Sequence, residues 1–128
     1  MAREVSWQRQ LVSIAREFAP PGNKGEIYAV HFSTFLGVLR GQGVIDGWRE
    51  TERNSAEDKQ GIDFWVSVDD EQFGFQIASK RIEVEKKRRK HPDVYVIYLL
   101  DPETGELRTD EQLRRVVEGG IGWYRRRK

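Results

Sequence analysis

Asp63 is the residue whose type and position in the chain most need a chemical explanation. It stands between Ile62 and Phe64, at the start of an apolar run. A carboxylate in such a run is costly to bury unless it is paired, hydrogen-bonded or bound to a metal ion. Because the chain has no cysteine and only two histidines, an ion held here would have oxygen ligands, which favours magnesium, manganese or calcium.

The stretch around Asp63 predicts a β-hairpin. Two runs rich in aromatic and β-branched residues, 61–68 and 73–80, flank the polar residues 69–72. Side chains alternate between the two faces of a strand, so Gln76, Ala78 and Lys80 should share one face. The apolar residues between them should face the core. The hairpin therefore places Asp63 near a row that includes an amide and an ammonium group.

The rest of the chain predicts a single α/β domain over residues 1–128. Apolar periodicity and end signals predict helices at 4–18, 24–40, 80–90 and 109–118, with a basic tail at 121–128. The N-terminal helix and the turn after it take up residues 1–20. Asn23 with Glu26 and Thr109 with Gln112 have capping-box spacing, and Gly119 with Gly120 should end the last helix.

Strands are expected at 44–53 and 94–100, and the latter reads as a strand buried on both faces. His31 lies in the apolar face of the second helix and is interpreted as a core histidine. The element order favours a mixed central sheet with helices on both faces, which is a three-layer α/β fold.

Charge is distributed unevenly, although the net charge is only +1. Residues 44–71 carry nine acidic and three basic side chains, whereas residues 80–91 carry seven lysines and arginines against two glutamates. The tail ends in three arginines and a lysine. This pattern suits a protein that holds a cation and approaches a polyanion, although a solvated helix face would look the same.

The element order and the residues on the hairpin resemble the PD-(D/E)xK nuclease superfamily, which includes restriction endonucleases and Holliday-junction resolvases. The resemblance covers about residues 24–100 and implies a restriction-endonuclease-like fold. It implies that Glu26, Asp63 and Gln76 bind magnesium or manganese, with Gln76 at the position that is usually acidic. Glu50, Glu52, Glu57 and Asp58 are further acidic candidates nearby.

The third-strand motif is degenerate at its lysine. The family spacing places lysine at position 78, where this chain has Ala78. Lys80 lies on the same face as Gln76 if the strand continues that far. Alternatively, Lys86 or Lys87 could reach in from the following helix.

The resemblance implies a metal-dependent endonuclease that hydrolyses phosphodiester bonds in DNA, with Asp63, Gln76, Lys80 and Glu26 as catalytic residues. A homodimer is expected by analogy, because each copy would cut one strand. Phosphate contacts are expected from Lys86, Lys87, Arg88, Arg89, Lys90, Arg125, Arg126 and Arg127.

Two alternatives remain: an inactive nuclease-fold protein that binds nucleic acid or a protein partner, and a plain protein-interaction domain. No signal peptide is visible, and no apolar run approaches the roughly 20 residues of a membrane span. A cytoplasmic location without membrane contact is therefore expected.

Overall fold

The computed structural model describes residues 24–52 and 54–127, and only the backbone of residues 24–26. Its elements are α1 (Lys24–Gly41), β1 (Gly47–Glu50), the one-turn helix α2 (Ala56–Lys59), β2 (Phe64–Val68), β3 (Glu71–Ala78), α3 (Arg81–Lys90), β4 (Tyr95–Tyr98) and α4 (Asp110–Arg126). The predicted helix at 4–18 and the cap at Asn23 lie outside the described residues. None of the described helices is long and apolar enough to cross a membrane.

The four strands form one mixed, open sheet in the order β1-β2-β3-β4. Strand β2 pairs antiparallel with both β1 and β3, and β4 runs parallel to β3. A parallel neighbour needs a crossover connection, and α3 supplies it. The predicted α/β class with a mixed sheet is confirmed.

The two faces of the sheet are covered by different helices. The larger apolar cluster joins α1 and α4 to one face, with Phe32 and Leu113 fully buried. The smaller cluster joins α3 to the other face through Val84, which packs with Ala78 and Val96. His31 is 2% exposed on the buried side of α1, so its interpretation as a core residue is confirmed.

The β2–β3 hairpin turns through Asp69 and Asp70, which have φ values of 52° and 67°. Two consecutive left-handed residues are typical of the tight turn that matches strand twist, and aspartate tolerates this conformation better than most residues. The Asp69 N–H donates to Asp46 Oδ2 at 2.7 Å, which ties the turn to the residue before β1. The predicted hairpin is confirmed, with a shorter turn.

The residue spacing of α3 determines which of its many charges point toward the sheet. Val84 is the buried residue of this helix. Residues three and four positions further on lie on the same side of a helix, and these are Lys87 and Arg88. Lys87 is partly buried, whereas Arg88 is exposed, as are Lys86, Arg89 and Lys90.

The prediction that Gly119 and Gly120 end the last helix is wrong, because α4 continues to Arg126. Gly120 is buried where the helix crosses the sheet. A Cβ at this position would lie 2.5 Å from Phe75 Cε1 and 2.7 Å from Tyr95 Cδ2. Glycine is there for close packing, and the apolar stripe continues through Ile121. Residues 121–126 of the expected tail are therefore helical.

Gly120→Ala should lower the free energy of unfolding by about 1–3 kcal/mol, because the extra methyl group overpacks the contact with two aromatic rings. Gly119→Ala is the matched control. A Cβ there would meet only Tyr95 Oη at 3.8 Å, an ordinary contact, so the better helix propensity of alanine should stabilise by up to about 1 kcal/mol. Urea denaturation of both variants checks the prediction, and equal effects of the two substitutions would contradict it.

Candidate functional site

Asp63 lies one residue before β2 and is fixed by main-chain hydrogen bonds on both sides. Its N–H donates to Phe75 O at 2.8 Å, and its carbonyl oxygen accepts from Thr51 N at 2.9 Å. Its side chain turns toward β3, where Oδ2 accepts from Ile77 N at 2.9 Å. Oδ1 has no hydrogen-bond partner among the described residues, so one carboxylate oxygen is left for a ligand.

Lys87 approaches the same point from α3. Its Nζ donates to Ile77 O at 2.8 Å. The main chain of Ile77 therefore holds a carboxylate through its N–H and an ammonium through its carbonyl oxygen. The Ile77 side chain packs toward the larger apolar cluster, so only the backbone of this residue serves as the anchor.

A cavity of about 390 Å³, which we call the Asp63 cavity, opens beside these two groups. Its charged lining comes from four places in the chain: Glu50 at the end of β1, Asp58 in α2, Asp63, and Glu83 with Lys87 on α3. Asp58 is held by its own hydrogen bond, since its Oδ2 accepts from Asn54 N at 2.9 Å. Four carboxylates and one ammonium group thus line a single concave surface.

Burial raises the pKa of the Asp63 carboxyl above its ordinary value of 3.8. The hydrogen bond from Ile77 and the charge of Lys87 act in the opposite direction, while the charges of Asp58 and Glu50 raise the pKa further. These surroundings make the charged form of Asp63 less favourable, and a bound cation would stabilise that form. The electrostatics of the cavity therefore favour a positively charged ligand near Asp63.

The raised pKa of Asp63 gives a prediction for stability against pH. The folded protein holds the Asp63 proton more tightly than the unfolded chain, so this group stabilises the fold below about pH 3.8. That contribution is lost as the pH rises through the folded-state pKa. Asp63→Asn, which cannot ionise, should match wild type at acidic pH and exceed its stability at pH 7, by about 1 kcal/mol.

Thermal unfolding in the presence of a chelator, measured from about pH 4 to about pH 8, checks this difference. The two curves should diverge with rising pH. A variant that is less stable than wild type throughout the range would contradict the inferred cost of the Asp63 charge.

The cavity offers carboxylate oxygens, the ligand type that magnesium prefers, but no complete metal-binding group among the described side chains. Among the residues with described side chains, no three acidic or histidine side chains are close enough to coordinate one ion. Magnesium usually keeps several waters and binds one or two carboxylates together with substrate phosphates. Asp63 is suited to be such a ligand, and Glu50 and Asp58 are close enough to line the same space.

Gln76 and Lys80, which were also predicted for the site, do not line the Asp63 cavity. Gln76 is 8% exposed and points toward the α3 side of the sheet, where its strand partner Val96 lies. It does not line the Asp63 cavity, and its Oε1 has no hydrogen-bond partner among the described residues. Strand β3 ends at Ala78, so Lys80 is the exposed N-cap of α3 and also lies outside the cavity. The Glu26 side chain lies outside the described part of the chain.

Two of the four further acidic candidates, Glu50 and Asp58, line the cavity. Glu57 instead pairs with Arg49, with Oε2 2.7 Å from Nη2. Glu83 was missed by sequence reasoning. The one available signal was its spacing of four residues from Lys87, which places both on the same side of α3.

The expected phosphate-binding residues fall into two groups. Lys86, Arg88, Arg89 and Lys90 of α3 are exposed, and within the described chain no carboxylate forms an ion pair with them. In the tail, by contrast, Arg125 lies 3.2 Å from Glu71 and Arg127 lies 2.8 Å from Asp93, while Arg126 is exposed and forms no ion pair with a described carboxylate. The strongest unneutralised positive charge in the described residues is therefore on α3.

No protein-family model, curated protein or solved structure matches this chain. The fold and the residues of the Asp63 cavity therefore carry the functional proposal.

Proposed function

We propose that this chain is a metal-dependent endonuclease that hydrolyses phosphodiester bonds in DNA, and that it belongs to the PD-(D/E)xK superfamily. The observation that carries the proposal is the convergence of Asp63 and Lys87 on the backbone of Ile77, within one acid-lined cavity. Phosphodiester hydrolysis needs an anionic group to hold a metal ion and a cationic group beside the reacting phosphate, and the cavity offers both.

The fold supports this proposal. The helix, three antiparallel strands, crossover helix and parallel strand occur in the order on which the resemblance to the superfamily was based. Helices lie on both faces of the sheet, as a three-layer restriction-endonuclease-like fold requires. Asp63 lies immediately before the second strand, next to the position expected for the aspartate of this family.

Four of the five charged residues of the cavity have a role in the proposed reaction. Asp63 would hold magnesium or manganese through its uncommitted oxygen, and Glu50 or Asp58 would supply a further carboxylate from the same cavity. The bound ion supplies a water of lowered pKa and neutralises phosphate charge. Lys87 takes the place expected for the motif lysine, orienting the attacking water and stabilising negative charge on the phosphate. This assignment replaces Lys80, which lies outside the cavity.

The charge of α3 supports a nucleic acid substrate. The unpaired basic residues begin immediately beside Lys87, so phosphates bound along α3 would lead the backbone toward the Asp63 cavity. Affinity that arises from such contacts falls steeply with salt concentration. One Asp63 cavity would cut one strand, so cleavage of both strands would need a second copy of the chain.

The test is the nicking of supercoiled plasmid by the purified protein. We expect nicked product with magnesium or manganese and no product with a chelator. Failure of both ions to support nicking, with folded protein and with DNA retained at low salt, would overturn the enzymatic proposal.

The second candidate is an inactive nuclease-fold protein that binds nucleic acid or a protein partner. The position of Gln76 favours it, because the amide expected to bind metal is buried away from the cavity. This candidate predicts salt-sensitive DNA binding that does not depend on Asp63 and no nicking under any metal condition.

A further inference from the structure

Helix α3 lines a second concave surface in addition to the Asp63 cavity. Val84 fixes the helix on the sheet, and the next residues on the same side diverge: Lys87 lines the Asp63 cavity and Arg88 lines the other surface. A strand of nucleic acid bound along the exposed charges of α3 would therefore pass close to both the Asp63 cavity and this second surface.

The second surface, which we call the aromatic groove, has a volume of about 280 Å³. Its lining is mostly apolar or aromatic, with one cationic residue, and consists of Arg88, Pro92, Val94, Tyr95, Val96 and Trp123. No carboxylate in the described chain forms an ion pair with Arg88. A purely apolar occupant would leave the Arg88 charge without a partner. A nucleotide has a flat ring for the aromatic lining and a phosphate for Arg88, so it would match both.

The two aromatic residues near the end of α4 have different roles. Tyr124 is committed to the fold, because its hydroxyl donates to Gly74 O and accepts from Tyr95 N. Trp123 is only partly buried, and its indole borders the groove.

The Trp123 ring is held in place before any ligand binds. Its centroid lies 5.5 Å from that of Tyr95, and Arg127 Cζ lies 4.4 Å from the indole centroid. Arg127 is itself held by Asp93, with Nη2 2.8 Å from Oδ1. A ring fixed in this way loses little conformational freedom when a second ring stacks against it.

We propose that the aromatic groove binds one unpaired nucleobase of the nucleic acid strand that crosses α3, with Arg88 contacting the base or its phosphate. The inference rests on the proposed function and narrows its substrate to nucleic acid with a single-stranded stretch. A base within a duplex is paired and stacked, so it cannot enter the groove. Aromatic stacking of single-stranded bases tolerates any sequence, so the groove would not require a particular base.

The first test compares two labelled single strands of equal length and charge, oligothymidine and an abasic strand. Both carry the same phosphates, so their affinities differ only through the bases. Fluorescence anisotropy with wild-type protein at moderate salt should show oligothymidine binding about tenfold more tightly. Equal affinity for the two strands would overturn the proposal and leave a protein segment as the remaining candidate for the groove.

Two variants, each with its own matched control, locate the effect. Arg88→Gln and Arg89→Gln each remove one exposed positive charge from the same helical turn, so both should weaken binding of the abasic strand equally. Only Arg88→Gln should also reduce the preference for oligothymidine. Trp123→Leu should remove that preference, and Trp123→Phe should retain most of it. A preference unchanged in both Arg88→Gln and folded Trp123→Leu would overturn the proposal.

Different results would contradict base binding in the aromatic groove and the nuclease activity on which that inference rests. Asp63→Asn should lose nicking and keep the preference for oligothymidine over the abasic strand. Loss of the preference in Asp63→Asn would place base binding in the Asp63 cavity and overturn the assignment to the groove. A wild-type protein that shows the preference and never nicks would overturn the nuclease proposal and support the groove.

Discussion

Asp63→Asn should reduce metal-dependent nicking of plasmid by at least about a thousandfold, which corresponds to about 4 kcal/mol of transition-state stabilisation. Asparagine keeps an oxygen that can accept from Ile77 N, so the local backbone should not change. It removes the negative charge on the oxygen left free for a metal ion. The loss should therefore appear in the chemical step, while DNA binding at low salt is retained.

Asp70→Asn is the matched control for this substitution. It removes a carboxylate from the same acidic segment, at an exposed turn position with a φ of 67° that asparagine adopts readily. Its nicking rate should stay within about twofold of wild type. Nicking by Asp63→Asn at the rate of this control would show that the reaction does not use the Asp63 cavity.

Lys87→Met should lower the nicking rate by about a hundredfold, which is the scale seen when one donor is removed from a charge-stabilising site. Methionine keeps most of the apolar stem and removes the ammonium group that lies at Ile77 O. Lys80→Met removes an equivalent charge from the exposed start of the same helix and should change the rate by less than about twofold. Initial rates of the two variants, measured at equal metal concentration, separate the two lysines.

Lys87→Met also loses a hydrogen bond from a charged donor, so its stability must be measured alongside its rate. Removal of such a bond costs about 1.5–3 kcal/mol. Assays well below the unfolding midpoint keep the variant folded. Lys87→Arg should restore part of the rate, because it keeps the charge but changes the donor geometry. A larger loss in Lys80→Met than in Lys87→Met would reverse the assignment.

The hairpin and its carboxylate could be predicted from sequence because they depend on local patterns. Alternating side chains determined which residues of β3 face the core, and the turn residues marked its ends. Asp63 stood out since its neighbours are apolar. The same local reasoning located α1 and its buried face, including His31.

The lysine could not be chosen from sequence, because the choice depends on where β3 ends. A strand reaching residue 80 would have placed Lys80 beside Gln76, but the chain leaves the strand at Ala78 and enters α3. The position of Lys87 then follows from the packing of Val84 against the sheet, which is a tertiary contact. Glu50, Asp58 and Glu83 also come together only through tertiary contacts, since each lies in a separate element.

The expected helix end at the glycine pair of α4 was wrong because it relied on local propensity, whereas tertiary packing determines where this helix ends. Two adjacent glycines usually favour a helix end. Here one of them lets the helix approach Phe75 and Tyr95, and the apolar stripe beyond it stabilises the continuation. Propensity is a weak guide where a tertiary contact offsets its cost.

The main-chain anchor at Ile77 has a consequence for how such a centre could vary among related chains. An amide N–H and a carbonyl oxygen are present whatever side chain stands at that position, so other apolar residues could replace isoleucine without moving Asp63 or Lys87. The partner cation is likewise free to come from a different element, provided that it reaches the same carbonyl oxygen. Chains with little sequence similarity could thus share this arrangement. Structural superposition would then reveal it, whereas sequence alignment would not.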